Sequence, residues 1–194
     1  MKTLPVVALL ACGVCASAAA RAAPPSPSPS VVAVLRVDVD GDGRLDLVAT
    51  RPGAVIVSTV EGTWTAPSSG RLDGAIRVPG VSGALLLLRV ESGRDGFLDG
   101  VYRASRGRLE RLHVSGGAGD GLATAVLGRT YVDVDCGPRR RSVTQVELAP
   151  LGRLWRRIEL VFALRGDRLV RVGASRHVVG AAAATHRRCT VLRR

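Results

Sequence analysis

Aromatic side chains make up only 3% of this 194-residue chain, and lysine occurs once, at Lys2. So few rings exclude a core built around aromatic packing, and they remove the interleaved stacking platforms of a single-strand nucleic-acid binder. Hydrophobic residues still reach 46%, so the core has to be made of Val, Leu and Ala. Signatures of common catalysts are also missing. No G-x-S-x-G, H-E-x-x-H or phosphate-cradling loop occurs, and each of those chemistries needs its residues at fixed spacing. The histidines, His113, His177 and His186, stand apart from one another.

What is abundant is arginine and glycine. The formal net charge is +12, carried almost wholly by Arg, which draws the surface toward anionic polymers or headgroups. The arginines are scattered through predicted turns and strand ends, as Arg71, Arg77, Arg103 and Arg106 illustrate. That scatter argues against nucleic acid and suits a solvated basic face. An anionic envelope polymer or an extracellular protein is the expected partner.

The N-terminus reads as an export leader over residues 1–23. Lys2 supplies the positive start, residues 4–14 the apolar stretch, and Ala16-Ser17-Ala18 or Ala20-Arg21-Ala22 a small-residue cleavage site. The apolar stretch is too short for a membrane span. Leu9-Leu10-Ala11-Cys12 also resembles a lipobox, which makes anchoring through Cys12 the alternative to free secretion. Residues 24–30, PPSPSPS, form an extended spacer that cannot pack. A single domain over residues 31–194 follows, long enough to bury a core.

The chemistry concentrates in residues 38–46, DVDGDGRLD. Asp38, Asp40 and Asp42 occupy alternate positions with Gly41 and Gly43 between them, and Asp46 closes the stretch. Crowded carboxylates repel unless a hard cation joins them, and calcium takes six to eight oxygen ligands. The glycines permit the curled backbone such a loop needs. Asp38, Asp40, Asp42 and Gly43 fit the start of an EF-hand loop, but the twelfth position is Ala49 where that loop needs Glu. The flanks disagree with helices as well: VVAVLRV before and LVAT after are short, β-branched and strand-like.

A strand–loop–strand site of this composition resembles the FG-GAP or VCBS type of repeat. The likeness rests on Asp38, Asp40, Asp42 and Asp46, and covers about one good repeat. It implies a calcium ligand set of those four carboxylates together with the backbone carbonyl of Arg44. It also implies a scaffold or binding surface rather than a catalyst.

Fainter copies follow. Residues 91–99, ESGRDGFLD, align on the first loop without gaps, so Glu91, Asp95 and Asp99 form a possible second, weak metal loop, with Gly93 where Asp40 stands. VDVDCG at residues 132–137 echoes the start again, but Cys136, Pro138 and three arginines interrupt it, so a structural role is expected. Each copy leads into strands joined by a glycine turn, at Gly62, Gly107 and Gly166. Regular short strands with turn signals predict an all-β fold of antiparallel meanders and hairpins, about three units packed as a partial propeller or a sandwich. Residues 180–186, GAAAATH, are the helix-compatible exception. Arg165-Gly166-Asp167 spells an adhesion tripeptide, but strand patterns on both sides make it a tight hairpin turn.

With the leader removed, Cys136 and Cys189 remain. An isolated pair in an exported domain is expected to form a disulfide, worth about 4 kcal/mol on loop-entropy arithmetic. The sequence therefore points to a secreted, non-catalytic calcium-binding module; the alternative is a secreted hydrolase with a structural calcium.

Overall fold

The computed structural model describes residues 33–68, 71–93, 96–117, 119–184 and 191–193. The leader and the Pro/Ser spacer lie outside the described residues. The described chain is almost entirely β, as the strand patterns require, and it divides into two sheets.

The first sheet is a four-stranded antiparallel meander of β1 (Ala33–Val37), β2 (Asp46–Arg51), β3 (Ala54–Thr59) and β4 (Gly62–Pro67). The second begins with β5 (Arg71–Arg77), β6 (Ala84–Gly93), β7 (Gly96–Ser105) and β8 (Arg108–Ser115). It continues through β9 (Leu122–Leu127), β10 (Thr130–Cys136), β11 (Ser142–Leu151), β12 (Leu154–Arg165) and β13 (Arg168–Val179). A one-turn helix, α1 (Ala181–Ala184), precedes β14 (Val191–Arg193), which adds to the edge of β5.

Closure happens at β7. Its first residues, Phe97 to Asp99, pair with β9, whereas Val101 to Ser105 pair with β8. The spatial order β7-β8-β13-β12-β11-β10-β9 therefore returns to β7 as a seven-stranded barrel. Closing removes edges that would otherwise recruit other chains. All the pairings are antiparallel except β8 with β13. The three units suggested by the sequence are thus built differently: one is an open meander, and the other two are woven into the extended barrel sheet.

Strand β6 shows why a single core is not enough. Its run Leu85-Leu86-Leu87-Leu88 is buried throughout, because successive strand side chains point to opposite faces. Leu85 and Leu87 join the barrel core with Phe162, Leu112 and Val134. Leu86 and Leu88 join a second core with Val48, Val55 and Val57 of the meander. A continuous apolar run is what a strand covered on both faces requires.

The turns follow local chemistry. Arg106 and Gly107 have φ of 49° and 75° between paired Ser105 and Arg108, as a two-residue turn with both central φ positive demands. Gly166 has φ 59° in the β12–β13 turn. That turn is docked rather than displayed: the Asp167 carbonyl accepts from His113 N–H at 3.0 Å, and the Gly166 carbonyl from Arg103 Nη1 at 3.1 Å. The alanine-rich segment does form a short helix. Buried Arg157 fixes it, donating to the carbonyls of Ala183 and Ala184 at 3.3 and 3.0 Å while its Nε holds Glu159 at 2.8 Å.

Candidate metal site

Antiparallel pairing of Val37 with Asp46 closes the base of the loop that joins β1 to β2. Within it Gly41 and Gly43 both take φ of 87°, a region costly to side-chain-bearing residues. The chain can then wind so that its own N–H groups meet its carboxylates. Gly41 N–H donates to Asp38 Oδ1 at 2.6 Å and Gly43 N–H to Asp38 Oδ2 at 3.2 Å. Asp42 N–H donates to Asp40 Oδ1 at 3.0 Å, and Arg44 N–H to Asp42 Oδ1 at 2.7 Å. Short Asp side chains bond the backbone two residues on in this way, mimicking a turn.

The loop is seated on the connection between β5 and β6. Val39 is fully buried in the second core, and the residues on either side of it are held from outside. Ala84 N–H donates to the Asp38 carbonyl at 2.8 Å, and Ser82 Oγ to the Asp40 carbonyl at 3.3 Å. Gly83 passes so close that a Cβ there would overlap the Val39 carbonyl oxygen. Beside the loop a cavity of about 410 Å³ is lined by Asp38, Gly41, Arg77 and residues 78–83.

Three of the predicted ligands come together. Asp38, Asp40 and Asp42 each offer a carboxylate oxygen, and these atoms lie within 4.8 Å of one another. Asp38 is buried, Asp40 half-buried and Asp42 exposed, so the cluster opens to solvent on one side. Asp40 and Asp42 use only Oδ1 in the loop's hydrogen bonds among the described residues, which leaves Oδ2 of each for a cation. An all-oxygen donor set with an open side suits a hard divalent ion that keeps some water ligands.

Asp46 stands outside the three converging carboxylates and has a structural part in the loop. It is buried, and its Oδ2 accepts from Val39 N–H at 2.7 Å, pinning the loop's far end. Burial pushes its carboxyl above the ordinary value of 3.8; the Val39 hydrogen bond opposes this, and the charges of Asp40 and Asp42 add to the rise. A carboxylate under that strain gains from a nearby cation. Arg44 sits in the exposed part of the loop, donating to Asp42 as described.

One neighbour was invisible to the sequence. Arg77 Nη2 lies 3.2 Å from Asp38 Oδ2 and 39 positions away in the chain. It neutralises part of the cluster and competes with a cation for the same oxygen. Nothing in the local pattern around Arg77 signals this, since only the seating of the loop on the β5–β6 connection brings the two together.

The other predicted residues are differently placed. Glu91 and Asp99 stand on the two strands of the β6–β7 hairpin, with Glu91 paired to Leu98, and Asp95 lies outside the described residues. Asp99 is fully buried and accepts from Thr124 Oγ1 at 3.1 Å. Asp133 and Asp135 of the third copy lie on β10, where buried Asp135 stands 4.0 Å from Arg157 Nη2. Cys136 belongs to the barrel core with its Sγ 3.1 Å from the Arg77 carbonyl oxygen, while Cys189 lies outside the described residues.

A second depression, about 640 Å³, is lined by Tyr102, Arg111, Asp120 and neighbouring residues. Its one carboxylate, Asp120, accepts from Val114 N–H at 2.9 Å and pairs with Arg111 at 3.4 Å. Among the described residues no helix is long and apolar enough to cross a membrane. Comparison of the chain with protein-family models, with curated proteins and with solved structures finds no match.

Proposed function

We propose that this chain is an exported, non-catalytic β module whose residue 38–46 loop binds calcium and whose surface binds an envelope or extracellular component. The observation that carries the reading is the convergence of Asp38, Asp40 and Asp42 within 4.8 Å in a loop curled by two positive-φ glycines. Asp46 and the Arg44 carbonyl complete the proposed ligand set. Because Val39 is embedded between the first two ligands and buried in the second core, ordering the loop with an ion stiffens the junction between the meander and the barrel sheet. The resemblance to FG-GAP repeats, confined to that loop, points the same way. Glu91, Asp95 and Asp99 are proposed at most as a weaker second site, and Cys136 with Cys189 as a disulfide tying the C-terminal segment to the barrel core.

The hydrolase alternative would need a cleft with converging nucleophile, base and acid. The depression at Tyr102 and Arg111 has a single carboxylate, already bonded to Val114 N–H and Arg111, so the binding module is preferred. The test is thermal unfolding of the full chain in EDTA, in millimolar calcium and in millimolar magnesium. Calcium should raise the midpoint by mass action, and Asp40→Asn should abolish the rise while leaving the EDTA midpoint nearly unchanged. Equal midpoints in EDTA and calcium would sink the metal reading.

A further inference from the structure

Among the described residues, half of the strongly exposed large hydrophobic residues gather at one end of the barrel. Val126, Tyr131, Leu151, Leu154 and Val178 are between 43% and 70% exposed. Pairing brings them to the same end in two sets on opposite faces of the strands, Val126 and Tyr131 with Trp155 on one and Leu151, Leu154 and Val178 on the other. Val126 stands opposite Tyr131, Tyr131 opposite Leu148, and Leu151 opposite Leu154. The next row runs from Pro150 to Trp155 to Val179, and the Tyr131 and Trp155 rings lie 6.3 Å apart. These are two of the six aromatic residues in the chain, placed side by side at a surface.

The two hairpins that project here share a tip sequence. Residues 127–129 and 151–153 both read Leu-Gly-Arg, and Gly128 and Gly152 take φ of 58° and 62° with open space around them. The glycines turn the chain, and Arg129 and Arg153 are exposed at the tips. Over residues 126–131, 147–156 and 176–179 there are four arginines, Arg129, Arg153, Arg156 and Arg176, against one acid, Glu147. Glu147 is itself 3.4 Å from Arg156.

The geometry points to this end of the barrel as a docking surface for an anionic lipid bilayer, with the paired Leu-Gly-Arg tips entering the headgroup layer and Tyr131 and Trp155 standing behind them at the interface. Exposed Leu151 and Leu154 on a projecting tip suit a deformable, chemically uniform layer rather than a shaped protein pocket. Tyr and Trp favour the headgroup level of a bilayer, where one end of the ring is wet and the other dry. The excess of arginine supplies attraction to anionic lipid that falls away within a Debye length. The inference names a partner for the binding module proposed above, and it rests on that reading only there: no step of it requires the loop to hold calcium.

The test is done in EDTA, so that failure of the calcium reading cannot affect it. The full chain carrying Trp64→Phe, which leaves Trp155 as the one tryptophan, is mixed with phosphatidylcholine vesicles containing about one-third phosphatidylglycerol, and with phosphatidylcholine alone. The expected result is binding to the anionic vesicles only, with a blue shift of Trp155 and quenching by brominated acyl chains. Leu151→Asp with Leu154→Asp should lower partitioning at least ~10-fold, and Arg129→Gln with Arg153→Gln by roughly tenfold or more. Val172→Asp, at an exposed position elsewhere on β13, should leave it unchanged. A Trp155 spectrum indifferent to vesicles overturns the proposal whatever the variants do. So does binding that ignores the tip substitutions, which would place the attachment in the apolar leader or in bulk charge.

Discussion

Arg77 is positioned to oppose the ion that the loop is proposed to hold, and replacing it with Gln should separate the two roles of Asp38. In the structure Arg77 Nη2 stands 3.2 Å from Asp38 Oδ2 with 55% of the Arg77 side chain exposed. Ion pairs so well solvated contribute about 0.2–1 kcal/mol, and the lower part of that range applies at physiological salt. A cation that takes Asp38 Oδ2 must first displace the guanidinium, so the pair acts against binding by the same amount. Arg77→Gln should therefore tighten calcium binding by up to about fivefold, while lowering the unfolding midpoint in EDTA by no more than about 2–4 °C. Titration calorimetry at low and high salt measures the first, and scanning calorimetry the second. The opposite signs are the signature, and the affinity gain should shrink as salt rises. Weaker calcium binding by Arg77→Gln would refute the reasoning, because it would mean that Arg77 holds the loop in its binding shape.

Two further outcomes follow from the loop's surroundings. Gly83→Ala combines φ of 69° with a Cβ driven into the Val39 backbone, so a loss of about 2–4 kcal/mol in chemical denaturation is expected together with weaker calcium binding. Gly43→Ala, with the same sign of φ but open space, should cost only about 1 kcal/mol. The pH dependence turns on Asp46, whose folded carboxyl titrates above its ordinary value. Between those two values the native chain binds the extra proton, so in EDTA this group stabilises the fold at low pH and loses that contribution as pH rises through the raised value. Calcium should reverse the trend by competing with the proton, and Asp46→Asn, which keeps an acceptor for Val39 N–H, should flatten the EDTA profile. A midpoint that climbs with pH in EDTA for reasons traceable to Asp46 would contradict the assignment.

The all-β character was legible because it is a property of short stretches: β-branched runs of five to seven residues, and turns such as Arg106-Gly107 that demand positive φ. The same holds for the first loop, where Asp and Gly at alternate positions need no distant residue to curl into Asx turns. Its likeness to residues 91–99 was equally local and equally visible, yet there Glu91 pairs with Leu98 across a hairpin that is bulged between Arg89 and Glu91, and Asp99 is buried against Thr124. Strand pairing decided that outcome, and pairing depends on which strands arrive alongside. Four consecutive leucines said that β6 is buried, but only the tertiary structure says between which two cores.

By itself, then, the sequence determined what is encoded within a few residues: strand periodicity, glycine turns, the carboxylate cluster at residues 38–42 and the basic, lysine-poor surface. The tertiary structure alone decided what depends on distant partners: the return of β9 to β7 that closes the barrel, the arrival of Arg77 beside Asp38, and the gathering of two Leu-Gly-Arg tips with Tyr131 and Trp155 at one end. The physical reason is the same in each case. Backbone conformation is set largely by neighbours in sequence, whereas the field around a charge and the exposure of an apolar side chain are set by whatever the fold packs against them.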